Sequence, residues 1–194
     1  MLSEIFKLFW KNVERKDARR INSQTPPTEI EQFCDIQYID DGLWQHRLDV
    51  YSKSGKLSHR PVIIDIHGGG WMYGTKEINK NYCLVLAQKD YVVVNINYRL
   101  APDFSVADQL RDCFFAFKWV STNIEKYGGD LNNVFVTGDS AGGFLAAYSA
   151  LLNSSEKLRK IFGVTESGLE FRACGLTSPV CFMNTHTFQD VYYS

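Results

Sequence analysis

The sequence predicts an α/β fold: a mostly parallel sheet with helices on both faces, preceded by an N-terminal antiparallel hairpin. Two observations carry this. From Pro61 onward the chain alternates strand, helix, strand, helix, strand, helix, strand, the order that buries a parallel sheet between helical layers. Both glycine-rich stretches, residues 67–71 and 138–143, stand at the carboxyl ends of strand candidates. Open α/β sheets gather their working groups at those ends.

In chain order, residues 2–20 read as a helix, with Ile5, Phe6, Phe9 and Val13 on one face and basic residues enriched towards its end. Pro26-Pro27 mark residues 22–28 as a linker. Residues 33–39 and 44–51 are strand candidates, and Asp40-Asp41-Gly42 between them supplies a hairpin turn. After a polar loop at 53–60, the run P-V-I-I-D-I at 61–66 is nearly all apolar, as for a strand buried on both faces. A helix at 77–89, a buried strand at 91–96, a loop at 97–103 and a long aromatic-rich helix at 106–127 follow. Gly128-Gly129-Asp130 ends that helix. Next come a strand through 134–136, a helix to about Lys160, and a last strand at 171–176. The domain organisation expected is residues 1–28 as helix and linker, a possible cap, and 29–194 as the α/β core.

Composition narrows the function. A chain of 194 residues with 45% hydrophobic content suits one soluble domain with a sizeable core. Net charge is −1 with both signs well mixed, so nothing favours nucleic acid or an acidic membrane surface. Cys34, Cys83, Cys113, Cys174 and Cys181 are odd in number and never spaced C-x-x-C, which reads as reduced buried thiols in a cytoplasmic protein, with no disulfide framework and no zinc site. No apolar run has transmembrane length. The first ten residues lack a basic leader and a small-residue cleavage site, so a signal peptide is not expected.

The chemistry centres on Gly138-Asp139-Ser140-Ala141-Gly142, a G-x-S-x-G sequence between an apolar strand and a helix. That context predicts a nucleophile elbow, in which a serine is held on a sharp turn whose glycine neighbours let strand and helix close up. The helix points its positive end at the serine. Acyl transfer also requires donors for a tetrahedral oxyanion. Ala141 N–H is one candidate, and the glycines after His67 expose others.

H-G-G-G-W at 67–71, N-Y-R-L-A-P-D at 97–103 and G-D-S-A-G-G at 138–143 resemble, in order and spacing, the hormone-sensitive-lipase-like carboxylesterases of the α/β-hydrolase superfamily. The resemblance covers about residues 33–180. It implies hydrolysis of small carboxylic esters through acyl-Ser140, with Gly69, Gly70 and Ala141 as the oxyanion hole, no metal or cofactor, and an N-terminal helical cap over the acyl pocket. It also implies that Ser140 should be followed by a late acid and a late histidine.

Other residues read more plainly. His67 precedes Ser140, against the fold's triad order, and reads as a brace for the glycine loop. Asp139 reads as a hydrogen-bonding residue, Arg99 and Asp103 as braces of their loop, Trp71 and Tyr73 as packing or pocket lining, and His46 and His59 as surface residues. After Ser140 the only histidine is His186, and Asp190 follows it in reversed order, so no triad acid or base is assigned. The expectation is an α/β-hydrolase core lacking its last strands and helices. The alternatives are a ligand-binding homologue without catalysis and an inactive truncation product. An exposed edge at residues 171–176 would favour self-association.

Overall fold

The computed structural model describes residues 2–55 and 59–181. Six strands form one sheet in the order β1-β2-β4-β3-β5-β6: β1 Ile30–Gln37, β2 Arg47–Lys53, β3 Arg60–Ile66, β4 Val92–Ile96, β5 Gly129–Asp139 and β6 Phe171–Thr177. β1 and β2 pair antiparallel, β2 lies antiparallel on β4, and β4-β3-β5-β6 run parallel. The expected hairpin is present, but its connection is the longer stretch 38–46, and Trp44 lies in that stretch, about half exposed.

Period-two alternation on the central strands builds two cores. On β4, Val92, Val94 and Ile96 join Ile64 and Ile66 in the larger cluster, with Leu110, Phe114 and Phe117 of α3 (Val106–Asn123) and Leu145 of α4 (Ser140–Asn153). Val93 points to the other face and meets Tyr51 with Cys83, Leu84 and Ala87 of α2 (Lys80–Gln88). The chain leaves β3 through α2 to reach β4 on one side, then crosses by α3 to β5 on the other. This reversal opens a crevice at the carboxyl ends of β3 and β5.

Two predicted helices are divided. α3 opens with a reciprocal capping box between Ser105 and Asp108 and tightens into a 3-10 turn at Ile124–Tyr127, where Gly128 adopts a left-handed φ of 83°. The helix that starts at Ser140 stops at Asn153. Ser155 then caps a separate short helix, α5 Glu156–Phe162, through its hydroxyl to Leu158 N. α1 spans Leu2–Asn22, with Arg19 and Arg20 in its last turn. Cys83 and Cys113 are buried as expected, but Cys34 and Cys181 are exposed, and all five thiols are free.

Candidate active site

In the sheet register Ile66 lies opposite Gly138, so the chain leaves β3 and β5 side by side. β5 ends at Asp139 and α4 begins at Ser140, with no loop between them. Ser140 takes a φ of 51°, a left-handed conformation that a side-chain-bearing residue holds only when its surroundings impose it. Gly142 makes the turn possible: a Cβ there would collide with the carbonyl oxygens of Ile66 and His67. Ala141 is fully buried in the first turn of α4, where backbone N–H groups lack helical partners.

The glycine loop faces this turn. Gly69, Gly70 and Trp71 follow one another at φ 123°, 58° and 62°. Gly69 is required sterically, since a Cβ would strike Tyr73 O, and Gly69 O in turn accepts from Met72 N and Tyr73 N. Trp71 is buried and packs edge-on against Phe144 of α4 at 5.5 Å between centroids. Its carbonyl accepts from Ala101 N at 2.8 Å and from Gln109 Nε2 at 2.9 Å. The loop is therefore tied to residues 97–103 and to α3.

His67 is fully buried. Its Nδ1 donates to Gly68 O at 2.7 Å, and its ring stacks on Tyr98 at 4.4 Å, while the Tyr98 hydroxyl donates to His67 O at 2.8 Å. Burial pushes the imidazole down to about 4, against the Gly68 hydrogen bond and the Asp139 charge. The ring is neutral near pH 7 and braces its loop, as the sequence suggests. Asp139 also behaves as read: its Oδ1 accepts from Gly68 N at 2.9 Å and from Asn79 Nδ2 at 2.8 Å.

Arg99 does brace its loop, but through Asp112 of α3. Nη2 meets Oδ1 at 2.7 Å, Nε meets Oδ2 at 2.9 Å, and Arg99 N donates to Oδ2 at 2.9 Å. His59 is exposed as expected. His46 is not. It is buried, with Nδ1 2.7 Å from Asp41 Oδ2 and Nε2 3.2 Å from Asp112 Oδ1. The reason is the fully buried Asp112 carboxylate, which draws the imidazole inward as a second partner beside Arg99. Lys76 forms a comparable centre at the far end of the glycine loop: almost wholly buried, its Nζ lies 3.1 Å from Asp35, 3.0 Å from Asp49 and 2.8 Å from Glu77.

Sequence reasoning passed over Asp112, Lys76, Asn79 and Asp65. Asp65 carried a signal, a lone carboxylate inside an otherwise apolar strand, whereas Asp112 follows Arg111 one turn after Asp108 and Gln109 and carried none. Trp10 of α1 stacks on Tyr73 at 5.3 Å, and Tyr73 Oη donates to Asp17 Oδ2 at 3.3 Å. The first helix thus lies against the glycine loop. His186 and Asp190 lie outside the described residues.

The model of the BD-FAE family matches residues 48–173. The chain belongs to this family. Among curated relatives, the carboxylesterase NlhH of Mycobacterium tuberculosis is 34% identical over 145 residues, covering 72% of this chain and 45% of its own length. The versiconal hemiacetal acetate esterase of Dothistroma septosporum is 36% identical over 112 residues, 57% of this chain and 33% of its own. Among solved structures, esterase B of Lactobacillus rhamnosis inhibited by a tributyrin phosphonate superposes with a TM-score of 0.93 at 32% identity, over 98% of this chain and 62% of that one. The BD-FAE chain therefore has the α/β-hydrolase esterase fold and spans about half the length, or less, of the curated relatives it matches. No helix among its described residues is long and apolar enough to cross a membrane.

Proposed function

We propose that this chain carries the nucleophile half of a serine ester hydrolase acting on small carboxylic esters. One observation carries the reading: Ser140, at φ 51° on the β5–α4 junction, faces three consecutive left-handed residues, Gly69, Gly70 and Trp71. Ser140 Oγ attacks the ester carbonyl, and the alkoxide that forms is held by the backbone N–H groups of Gly69, Gly70 and Ala141. Collapse expels the alcohol and leaves acyl-Ser140 for water to cleave. No metal or cofactor is needed. The tributyrin phosphonate inhibitor of esterase B supports short acyl chains, and α1 with its Trp10–Tyr73 stack is suited to cover the acyl site as a cap. His67 is not the base, because its ring is committed to Gly68 and Tyr98.

That locked histidine favours a second reading, in which the 194-residue chain binds an ester-sized ligand without turning it over. Incubation with a short-chain alkyl phosphonate, followed by mass spectrometry, separates the two. Stoichiometric labelling of Ser140, with p-nitrophenyl butyrate hydrolysis abolished in Ser140→Ala, supports the hydrolase. An unlabelled wild-type chain with no turnover argues against hydrolysis by this chain, and reversible binding of the phosphonate without a covalent bond then supports the binding protein.

A further inference from the structure

Asn79 occupies the N-cap of α2, a position where an asparagine side chain ordinarily accepts a hydrogen bond from the first turn of its helix. Here it makes no cap hydrogen bond. Its amide nitrogen instead donates twice: to Asp65 Oδ2 at 2.9 Å and to Asp139 Oδ1 at 2.8 Å. An amide nitrogen carries two hydrogens, so one side chain can serve both carboxylates at once. Neither alanine nor aspartate at this position could do so.

The two carboxylates occupy key positions. Asp139 immediately precedes Ser140, and the same Oδ1 that takes the Asn79 hydrogen also accepts from Gly68 N at 2.9 Å. Asp139 thereby links the serine turn to the start of the glycine loop. Asp65 sits on β3, one residue before the strand ends, with 1% of its surface exposed. Its Oδ1 has no hydrogen-bond partner among the described residues. A carboxylate so buried is costly unless it is hydrogen-bonded, and Oδ2 has its donor in Asn79. Burial pushes its carboxyl up to about 7, with the Asn79 hydrogen bond and the Cys83 thiol pulling down and Asp139 pushing further up.

We propose that Asn79, anchored from behind by Asp65, is a positioning residue for ester hydrolysis: it fixes the Asp139 carboxylate, and Asp139 sets the glycine loop against Ser140 through Gly68 N–H. The inference rests on the hydrolase reading for its consequence in turnover, though the brace itself is a statement about structure. Asp139 has no other described side chain holding Oδ1 in place. Without Asn79 it is free to swing to water, and Gly68 N–H loses a charge-assisted acceptor. Gly69 and Gly70 follow directly, so their N–H groups shift relative to the reacting carbon. Displacements of about 1 Å in such donors cost up to roughly a hundredfold in rate.

The test uses the full 194-residue chain and two variants. Asn79→Ala removes the double donor. Asp65→Leu removes the rear anchor together with a buried carboxylate that is costly to desolvate, and is the second variant where Asn79→Ala does not fold. Two readouts are taken on the same samples: the Gly68 amide proton by 15N–1H NMR, and kcat and KM for p-nitrophenyl butyrate. In Asn79→Ala the Gly68 amide is expected to move upfield further than any glycine amide outside residues 67–74, with kcat lower by roughly tenfold to a hundredfold and KM within about twofold. Asp65→Leu should give the same directions with smaller size. An unmoved Gly68 amide in both variants overturns the brace. A displaced amide with unchanged kcat overturns its role in positioning. A wild-type chain that shows no turnover and no phosphonate labelling overturns the hydrolase reading instead, and the amide shift still decides whether the brace exists.

Discussion

Replacing Arg99 with methionine tests how the site is held in register. Asp112 is fully buried, and its carboxylate is satisfied by the Arg99 guanidinium, by Arg99 N and by the His46 ring. Removing one partner of a buried ion pair costs about 3–5 kcal/mol, because the other charge stays behind uncompensated. Here the Arg99 backbone N–H survives the substitution and His46 can supply positive charge, which places the expected loss near the lower limit, about 3 kcal/mol. With an unfolding entropy of about 2.1 cal/mol/K per residue, roughly 0.4 kcal/mol/K for a chain of this size, that loss lowers Tm by about 7 °C.

The pH dependence discriminates this account from ordinary loss of packing. Burial pulls the His46 pKa down, but the hydrogen bonds and charges of Asp112 and Asp41 more than reverse this, and the group is raised above its usual 6.5. A raised folded-state pKa contributes stability that is whole below the unfolded value and is lost as pH rises through the folded one. Without Arg99 the imidazolium becomes the main countercharge, so Arg99→Met should be milder at pH 5.5 than at pH 8.5. Urea unfolding at both pH values is the assay. A loss below about 1 kcal/mol at pH 8.5, the range of an exposed ion pair, or the same loss at both pH values, would refute the reasoning. Because Ala101 N holds Trp71 O, the variant should also loosen the glycine loop.

Ser140→Ala should retain the wild-type circular dichroism spectrum and lose at least about a hundredfold in p-nitrophenyl butyrate turnover. Lys76→Met leaves Asp49 fully buried beside Asp35 and Glu77; urea titration at pH 8 should show a loss of about 3–5 kcal/mol. The His67 Hε1 resonance should be flat from pH 8 to pH 5.5, since its pKa is depressed to about 4 by burial; that depression stabilises the fold fully above pH 6.5 and less as pH falls towards 4. β6 pairs with β5 on one side, and no further strand borders it among the described residues, so light scattering of the 194-residue chain should show concentration-dependent self-association. A monodisperse monomer melting above roughly 55 °C would argue against that edge as an interface.

What the sequence made legible, and what it did not, divides along a physical line. Strands β3, β4 and β5 were readable because their apolar runs face the core, on both sides at β4, whose five residues are all buried, and the turn at Ser140 was readable because glycine is required wherever backbone meets backbone. Both are local demands written into consecutive residues. Asn79 is the opposite case. Its partners lie fourteen and sixty residues away, and at a helix start an asparagine already has a sufficient local reason to be present. His46 was misread in the same way, since a polar histidine beside Asp41 and a tryptophan looks like surface until Asp112 arrives from sixty-six residues downstream. Lys76 completes the pattern, being a lysine between polar residues whose burial depends on Asp35 of β1 and Asp49 of β2 as well as on its neighbour Glu77. The parts of the site that carry its electrostatics are therefore those whose identity is set by long-range pairing. A lone Asp inside an apolar stretch, as at Asp65, is the one trace such pairing leaves in the sequence, because a buried carboxylate must find its donors somewhere in the fold.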